Sequence, residues 1–221
     1  MRKLVQLHKR EASLTPEAFQ TALASACQLD PSIDGLVAYV QSHTLPGGYR
    51  KGEPLFDAME EFTFADEQDV QAFMASEAAA AIAASRAPIV DAPQGHSMIV
   101  QIHRIKDLPV PQGGVKNIEF VNRRPGMELA PFRAYWREKH GPLASHIPSI
   151  LRYEQNHLAM SGYADGAEPR YDGLAITWFS STDAMRDGSK TEAYAATRAD
   201  EPNFLPDGHL PIIIVKEVLF R

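Results

Sequence analysis

The chain has 221 residues, 44% hydrophobic and 23% charged, enough for one large domain or two of about 100 residues, each with its own core. A net charge of −6 without a basic run or basic helix face speaks against nucleic acid and anionic membrane as partners. One cysteine, Cys27, excludes an internal disulfide; no stretch approaches the ~20 apolar residues of a membrane span or the core of a signal peptide, so the expected compartment is the cytoplasm.

The first expected strand is residues 4–8. Thr15 then caps a helix with Pro16 at its first position and Phe19, Leu23 and Ala26 on one face. Strands at 36–41 and 56–64 follow. Asp66 opens a helix carrying Val70, Phe73, Met74 and an alanine-rich run, and 98–105 is the fourth strand. Residues 107–114 read as a Pro/Gly linker. Beyond it come a strand at 115–121, an apolar helical stripe of Leu129, Phe132, Tyr135 and Trp136, and strands at 150–157 and 171–179. Ser180 or Ser181 opens another helix, which Gly188 interrupts before residues 191–199 resume it. The last strand, 212–220, begins with four apolar residues in a row, as in a strand buried on both faces.

Each half therefore has the order β-α-β-β-α-β, the ferredoxin-like pattern. The halves also match residue by residue. Phe19 and Phe132 stand 113 residues apart, Tyr39-x-Gln41-x-His43 and Tyr153-x-Gln155-x-His157 stand 114 apart, and Phe56-Asp57 and Tyr171-Asp172 stand 115 apart. Offsets drifting by one or two residues mark a duplication with small loop changes. A sheet with helices on one face must bury the other. The expected fold is thus α+β, two tandem ferredoxin-like repeats (1–107 and 115–221) packed as a pseudo-symmetric barrel, with small-molecule pockets between sheet and helices.

The second half carries Pro131-Phe132-Arg133-Ala134-Tyr135-Trp136-Arg137-Glu138-Lys139-His140-Gly141-Pro142-Leu143. Arg152-Tyr153-Glu154-Gln155-Asn156-His157, Tyr171-Asp172-Gly173 and Glu201-Pro202-Asn203-Phe204-Leu205 follow in order. Together these resemble an EthD domain, of the dimeric α+β barrel superfamily, across residues 115–221. The first half resembles it through element order and the Tyr-x-Gln-x-His signature alone. It has Cys27-Gln28-Leu29-Asp30 where the second has His140-Gly141-Pro142-Leu143, and Ala58 where the second has Gly173. The resemblance implies one strong site, in the second half, and a degenerate or repurposed one in the first. It also implies breakdown of ethers or other xenobiotics, or dehydratase and decarboxylase steps in polyketide and pigment pathways. The wider superfamily includes muconolactone isomerases, cofactor-independent monooxygenases and haem-binding peroxidases.

Candidate chemistry centres on His140, four residues after Trp136 and before a Gly-Pro pair expected to end the helix there. It reads as a general acid or base, or as a cap for the last carbonyls. Tyr153, Gln155 and His157 share one face of a strand, to converge on a ligand or to form a polar solvent face or structural pair; Tyr39 and His43 are their first-half counterparts. Asp172 is a carboxylate base or a turn former, and Asn203 with Phe204 a lid or an ordinary connection. Tyr135 and Trp136 are further candidates for substrate contact. Cys27 is a core or pocket thiol. No His/Cys cluster, Gly-rich phosphate loop or Gly-x-Ser-x-Gly elbow is present, so neither metal, nucleotide nor serine hydrolase chemistry is expected.

The resulting expectation is a cofactor-independent enzyme in which His140 and His157, helped by Tyr153 or Asp172, transfer protons on an apolar, aromatic or polycyclic metabolite, as a lyase, dehydratase or isomerase. The alternatives are a cofactor-free monooxygenase, a haem-dependent oxidative enzyme, or a binding protein for a hydrophobic metabolite. Two such chains are free to pair as a homodimer.

Overall fold

The computed structural model describes residues 1–26 and 33–220; Cys27 and the segment after it lie outside the described residues. Two compact units emerge, Met1–Gln101 with Val215–Arg221, and Ile102–Ile214.

The first unit contains β1 (Arg2–His8), α1 (Pro16–Ser25), β2 (Leu36–Thr44), β3 (Ala58–Phe64), α2 (Glu67–Met74), α3 (Glu77–Arg86) and the start of β4 (His96–Asp107). β1 pairs antiparallel with both β3 and β4, and β2 pairs antiparallel with β3. Every helix has a side-chain cap: Thr15 on the Ala18 N–H, Asp66 on those of Gln68 and Asp69, Ser76 on that of Ala79. Between the sheet and α2 the space is filled. Leu4, Tyr39, Phe62, Phe64, Val70, Phe73 and Ile82 form one buried cluster, in which each large apolar side chain is worth roughly 1.5–3 kcal/mol.

The second unit repeats the order with β5 (Val115–Val121), α4 (Leu129–Tyr135), α5 (Gly141–Ser145), β6 (Arg152–Leu158), β7 (Gly173–Phe179), α6 (Thr182–Gly188), α7 (Glu192–Asp200) and the start of β8 (Ile212–Phe220). β7 lies between β5 and β6, antiparallel to both. Ser181 and Thr191 cap α6 and α7, and Gly188 ends α6 as its backbone freedom suggests.

The expected helix end at Gly141-Pro142 is not found. A π-helical turn, Trp136–His140, joins α4 to α5, and the Gly141 N–H reaches back to the Trp136 carbonyl. Widening the turn relieves the clash of the Pro142 ring with the preceding carbonyls, and a residue lacking an N–H leaves no donor unmet there. His140 therefore sits inside a continuous helical run, away from the helix end at which a cap for the last carbonyls would stand.

Asp172 proves to be a structural carboxylate. It is buried and accepts the Arg123 backbone N–H at 2.8 Å, the Arg123 guanidinium, and the Tyr163 hydroxyl at 2.7 Å. The first unit builds the same latch: Asp57 accepts from the Arg10 N–H at 3.0 Å, its guanidinium at 2.8 Å, and Tyr49 at 2.7 Å. Three of the four lone-pair sites of each carboxylate are thus spent on holding the chain together, and Asp172 is absent from the wall of the second unit's cavity.

Candidate active site

The second unit encloses a cavity of about 250 Å³ between the helix-facing side of its sheet and α6 and α7. Asn117 and Glu119 of β5, Tyr153 of β6, and Ala175 and Thr177 of β7 form its floor. His140, Met185, Gly188, Thr197, Arg198 and Glu201 close it from the helices.

The duplication explains why this space is open. Register pairs Gln6 with Glu60 and Leu4 with Phe62 in the first unit, and Glu119 with Ala175 and Asn117 with Thr177 in the second. Counting from the caps puts Phe73 opposite Gly188 and Arg86 opposite Glu201. Where the first unit packs Leu4, Glu60, Phe62 and Phe73, the second has Asn117, Ala175, Thr177 and Gly188, all smaller or more polar. Gly188 has a further reason: a Cβ there would lie 1.9 Å from the Ser149 hydroxyl oxygen.

One end of the cavity is built around Asp200, the last residue of α7. Its carboxylate lies 2.9 Å from His140 Nδ1 and also takes the Tyr135 hydroxyl at 2.6 Å and the Asn203 amide at 3.0 Å. Phe204 packs its ring 4.7 Å from that of His140 and stacks on Tyr135 at 5.5 Å. Three residues singled out from the sequence thus meet on one that was not, and a fourth, Phe204, packs on two of them. Burial lowers the His140 pKa, against the opposing pull of Asp200. Burial also works against the Asp200 carboxylate, but the hydrogen bonds from Tyr135, His140 and Asn203 outweigh it and hold Asp200 below its ordinary value. An acceptor-only carboxylate fixes the imidazole with its proton on Nδ1, leaving Nε2 as the basic nitrogen.

Glu119 and Glu201 were also missed. Burial pushes Glu201 up to about 7, with Glu119 adding to the rise and the Arg198 guanidinium opposing it. Burial raises Glu119 too, against the Asn117 amide, which donates to it at 3.1 Å. Arg198 is itself engaged, by Glu201 and by His209 at 3.1 Å. The usable signal was the offset of 115 residues that sets Glu201 against Arg86.

Of Tyr153, Gln155 and His157, expected to converge on a ligand, Tyr153 alone borders the cavity. Gln155 donates to the Tyr153 hydroxyl oxygen at 3.1 Å and to the Trp136 carbonyl at 2.6 Å, while its own oxygen takes the His157 Nε2 proton at 3.1 Å. Gly141 is what lets the helix come so close, since a Cβ there would stand 2.8 Å from the Gln155 nitrogen. His157 is off the cavity wall, stacked on Trp136 at 4.3 Å and 10°. Burial pushes its pKa down to about 2, and among the described residues its Nδ1 has no hydrogen-bond partner. A neutral, enclosed imidazole of this kind sets the position of Trp136 and Gln155 and takes up no second proton near neutrality. Trp136 serves that packing and does not border the cavity.

The first unit repeats this chain and confines Tyr39 and His43 to it. Gln41 donates to Tyr39 at 3.1 Å and accepts from His43 at 2.9 Å; burial pushes His43 down to about 4. Tyr39 gives its proton to Glu60, which also takes Arg86 at 2.7 Å and His8 at 2.7 Å. Both residues belong to the packed interior. Among the described residues no group of three or more His, Cys, Asp or Glu side chains is gathered as for a metal, and no helix is long and apolar enough to cross a membrane.

The model of the EthD domain matches residues 124–207, which hold His140, Tyr153, Asp172, Asp200 and Glu201. Residues 124–207 are an EthD domain. Among solved structures, the chain is similar over its whole length to an anthrone oxidase-like protein (12% identity, 92% of that chain covered, TM-score 0.65). It is also similar to a candidate monooxygenase from Fusobacterium nucleatum (7%, 100% of this chain and 93% of that one, 0.62). A candidate chlorite dismutase follows (13%, 99% and 94%, 0.59). At such identities the likeness is one of fold, and the fold is that of the dimeric α+β barrel proteins with both repeats in one chain. No curated protein sequence matches. The EthD domain thus supplies His140, its carboxylate Asp200 and most of the cavity wall, while Asn117 and Glu119 come from the strand that precedes it.

Proposed function

We propose that this is a cofactor-independent enzyme that moves protons on a small, largely apolar, ring-bearing metabolite, as an isomerase, dehydratase or other lyase. The observation that carries the reading is His140, with a carboxylate 2.9 Å behind Nδ1 and a cavity in front. Burial disfavours the charged ring, so the resting state is a neutral base. Glu201, pushed up to about 7, is divided between its acid and carboxylate forms near neutrality and borders the same cavity, where the protonated form is a general acid. A base and an acid on one small cavity are what a double-bond shift or an elimination of water requires. At about 250 Å³ the cavity favours one or two fused rings over a larger polycycle, since pockets for drug-sized ligands run from roughly 300 to 1,000 Å³.

The names of the relatives favour a second reading, a cofactor-free monooxygenase. It would use the same base to make a carbanion that reduces O₂, and oxygen uptake measured with an electrode separates the two. A haem does not fit: an imidazole is present in His140, but a macrocycle exceeds the cavity, and Glu119 and Glu201 line it. The direct test is turnover of a panel of cyclic ketones and hydroxylated rings, followed by mass spectrometry. His140→Ala should abolish product formation with its circular dichroism unchanged; full turnover in that variant removes His140 from the mechanism.

A further inference from the structure

The two units give one tyrosine two different fates. In the first, Tyr39 receives the Gln41 amide at 3.1 Å and passes its own proton to the Glu60 carboxylate. In the second, Tyr153 receives the Gln155 amide at the same 3.1 Å, and the Trp136 indole N–H is a second donor beside its oxygen. The place of Glu60 is taken by Ala175, which accepts nothing. Among the described residues no acceptor takes the Tyr153 proton. With donors directed at its oxygen, the O–H is the one function left to this side chain, and Tyr153 and Ala175 border the same cavity.

We propose that Tyr153 is the catalytic hydrogen-bond donor to a substrate carbonyl oxygen, and that the substrate class is therefore an enolisable cyclic ketone or enone. The proposal rests on the reading of His140 as the base. The rest of the wall agrees with a neutral carbonyl. A carboxylate substrate would require a free cation, yet of the two arginines on the wall Arg198 is held by Glu201 and His209, and Arg186 by Asp183. Burial raises the Tyr153 hydroxyl well above neutrality, so it stays a donor. Burial likewise favours the uncharged form of Glu119, which removes a negative charge from the neighbourhood of a developing oxyanion.

The step balances without a co-reactant. His140 Nε2 takes the proton from the carbon next to the carbonyl. The C–H electron pair becomes the C=C bond, the carbonyl π pair moves to oxygen, and the Tyr153 O–H holds the resulting enolate. The imidazolium then returns the proton to the same carbon, or to the far end of a conjugated enolate, which shifts the double bond.

The test uses 4-nitrophenolate, an oxyanion on a ring that needs no base to bind. Its absorbance should shift on saturable binding to the wild-type protein. Tyr153→Phe should weaken that binding tenfold or more, whereas His140→Ala should leave it within a few-fold. Loss of turnover in His140→Ala with phenolate binding intact would speak to the base alone. Equal binding by folded Tyr153→Phe, or no saturable binding by the wild type, would overturn the role of Tyr153. Should Tyr153→Phe fail to fold, the wild type still decides: its Tyr153 hydroxyl-proton resonance should move downfield on saturation, and an unmoved resonance overturns the proposal.

Discussion

Asp200 stands directly behind His140, its carboxylate 2.9 Å from Nδ1, although 60 residues separate the two in the chain. The tautomer of the imidazole depends on that acceptor. Asp200→Asn keeps the shape but offers an amide that can donate to Nδ1 and so place the proton on Nε2. We expect turnover to fall on the order of 10²–10⁴-fold with little change in substrate affinity. Steady-state kinetics beside a thermal melt of the variant would check it; unchanged kcat would detach Asp200 from the chemistry.

The pH dependence of stability carries the mark of Glu201. Its folded value of about 7 lies above the ordinary 4.5, so the folded state binds the extra proton between those limits. The associated stability is present below about 4.5 and is lost as pH rises through about 7, at up to roughly 1.4 kcal/mol per pH unit. Glu201→Gln should remove this slope and gain relative to the wild type at pH 8. Urea unfolding at several pH values measures the difference, and parallel curves for the two proteins would refute it.

The first unit's Glu60 cluster should behave as a buried ion pair. Arg86→Met leaves the fully buried Glu60 without its guanidinium, 2.7 Å away in the wild type, and should cost about 3–5 kcal/mol in equilibrium unfolding. Turnover by the protein that remains folded should be unchanged.

Thr177→Phe restores to the second unit the side chain that fills the first at Phe62. Phenolate binding and turnover should be lost, with the melting temperature unchanged or raised, because the ring occupies space that is empty and not packed. Gly188→Ala should instead lower stability by about 1–3 kcal/mol, since its Cβ meets Ser149 at 1.9 Å.

Much of this was legible in the sequence because duplicated scaffolds repeat their contacts. Tyr39-x-Gln41-x-His43 and Tyr153-x-Gln155-x-His157 build the same hydrogen-bonded chain, and Asp57 and Asp172 the same latch. That repetition marks the contacts as scaffold, because His43 and His157, like Asp57 and Asp172, are held by the same kinds of partner in both halves. Asp200 was illegible for the opposite reason: it has a role through proximity to His140, which only the fold creates. The continuous helix through Pro142 was hidden because proline ordinarily ends a helix and a π turn leaves no local signature. The cavity itself was encoded as a set of differences, Ala175 for Glu60 and Gly188 for Phe73, visible only once register and caps align the halves.

The most direct test of the account is solvent exchange. Cyclic ketones and enones incubated with the protein in D₂O should lose the ¹H signal beside the carbonyl at a rate the wild type accelerates and His140→Ala does not. Acceleration that persists in folded His140→Ala would contradict the assignment of His140 as the base.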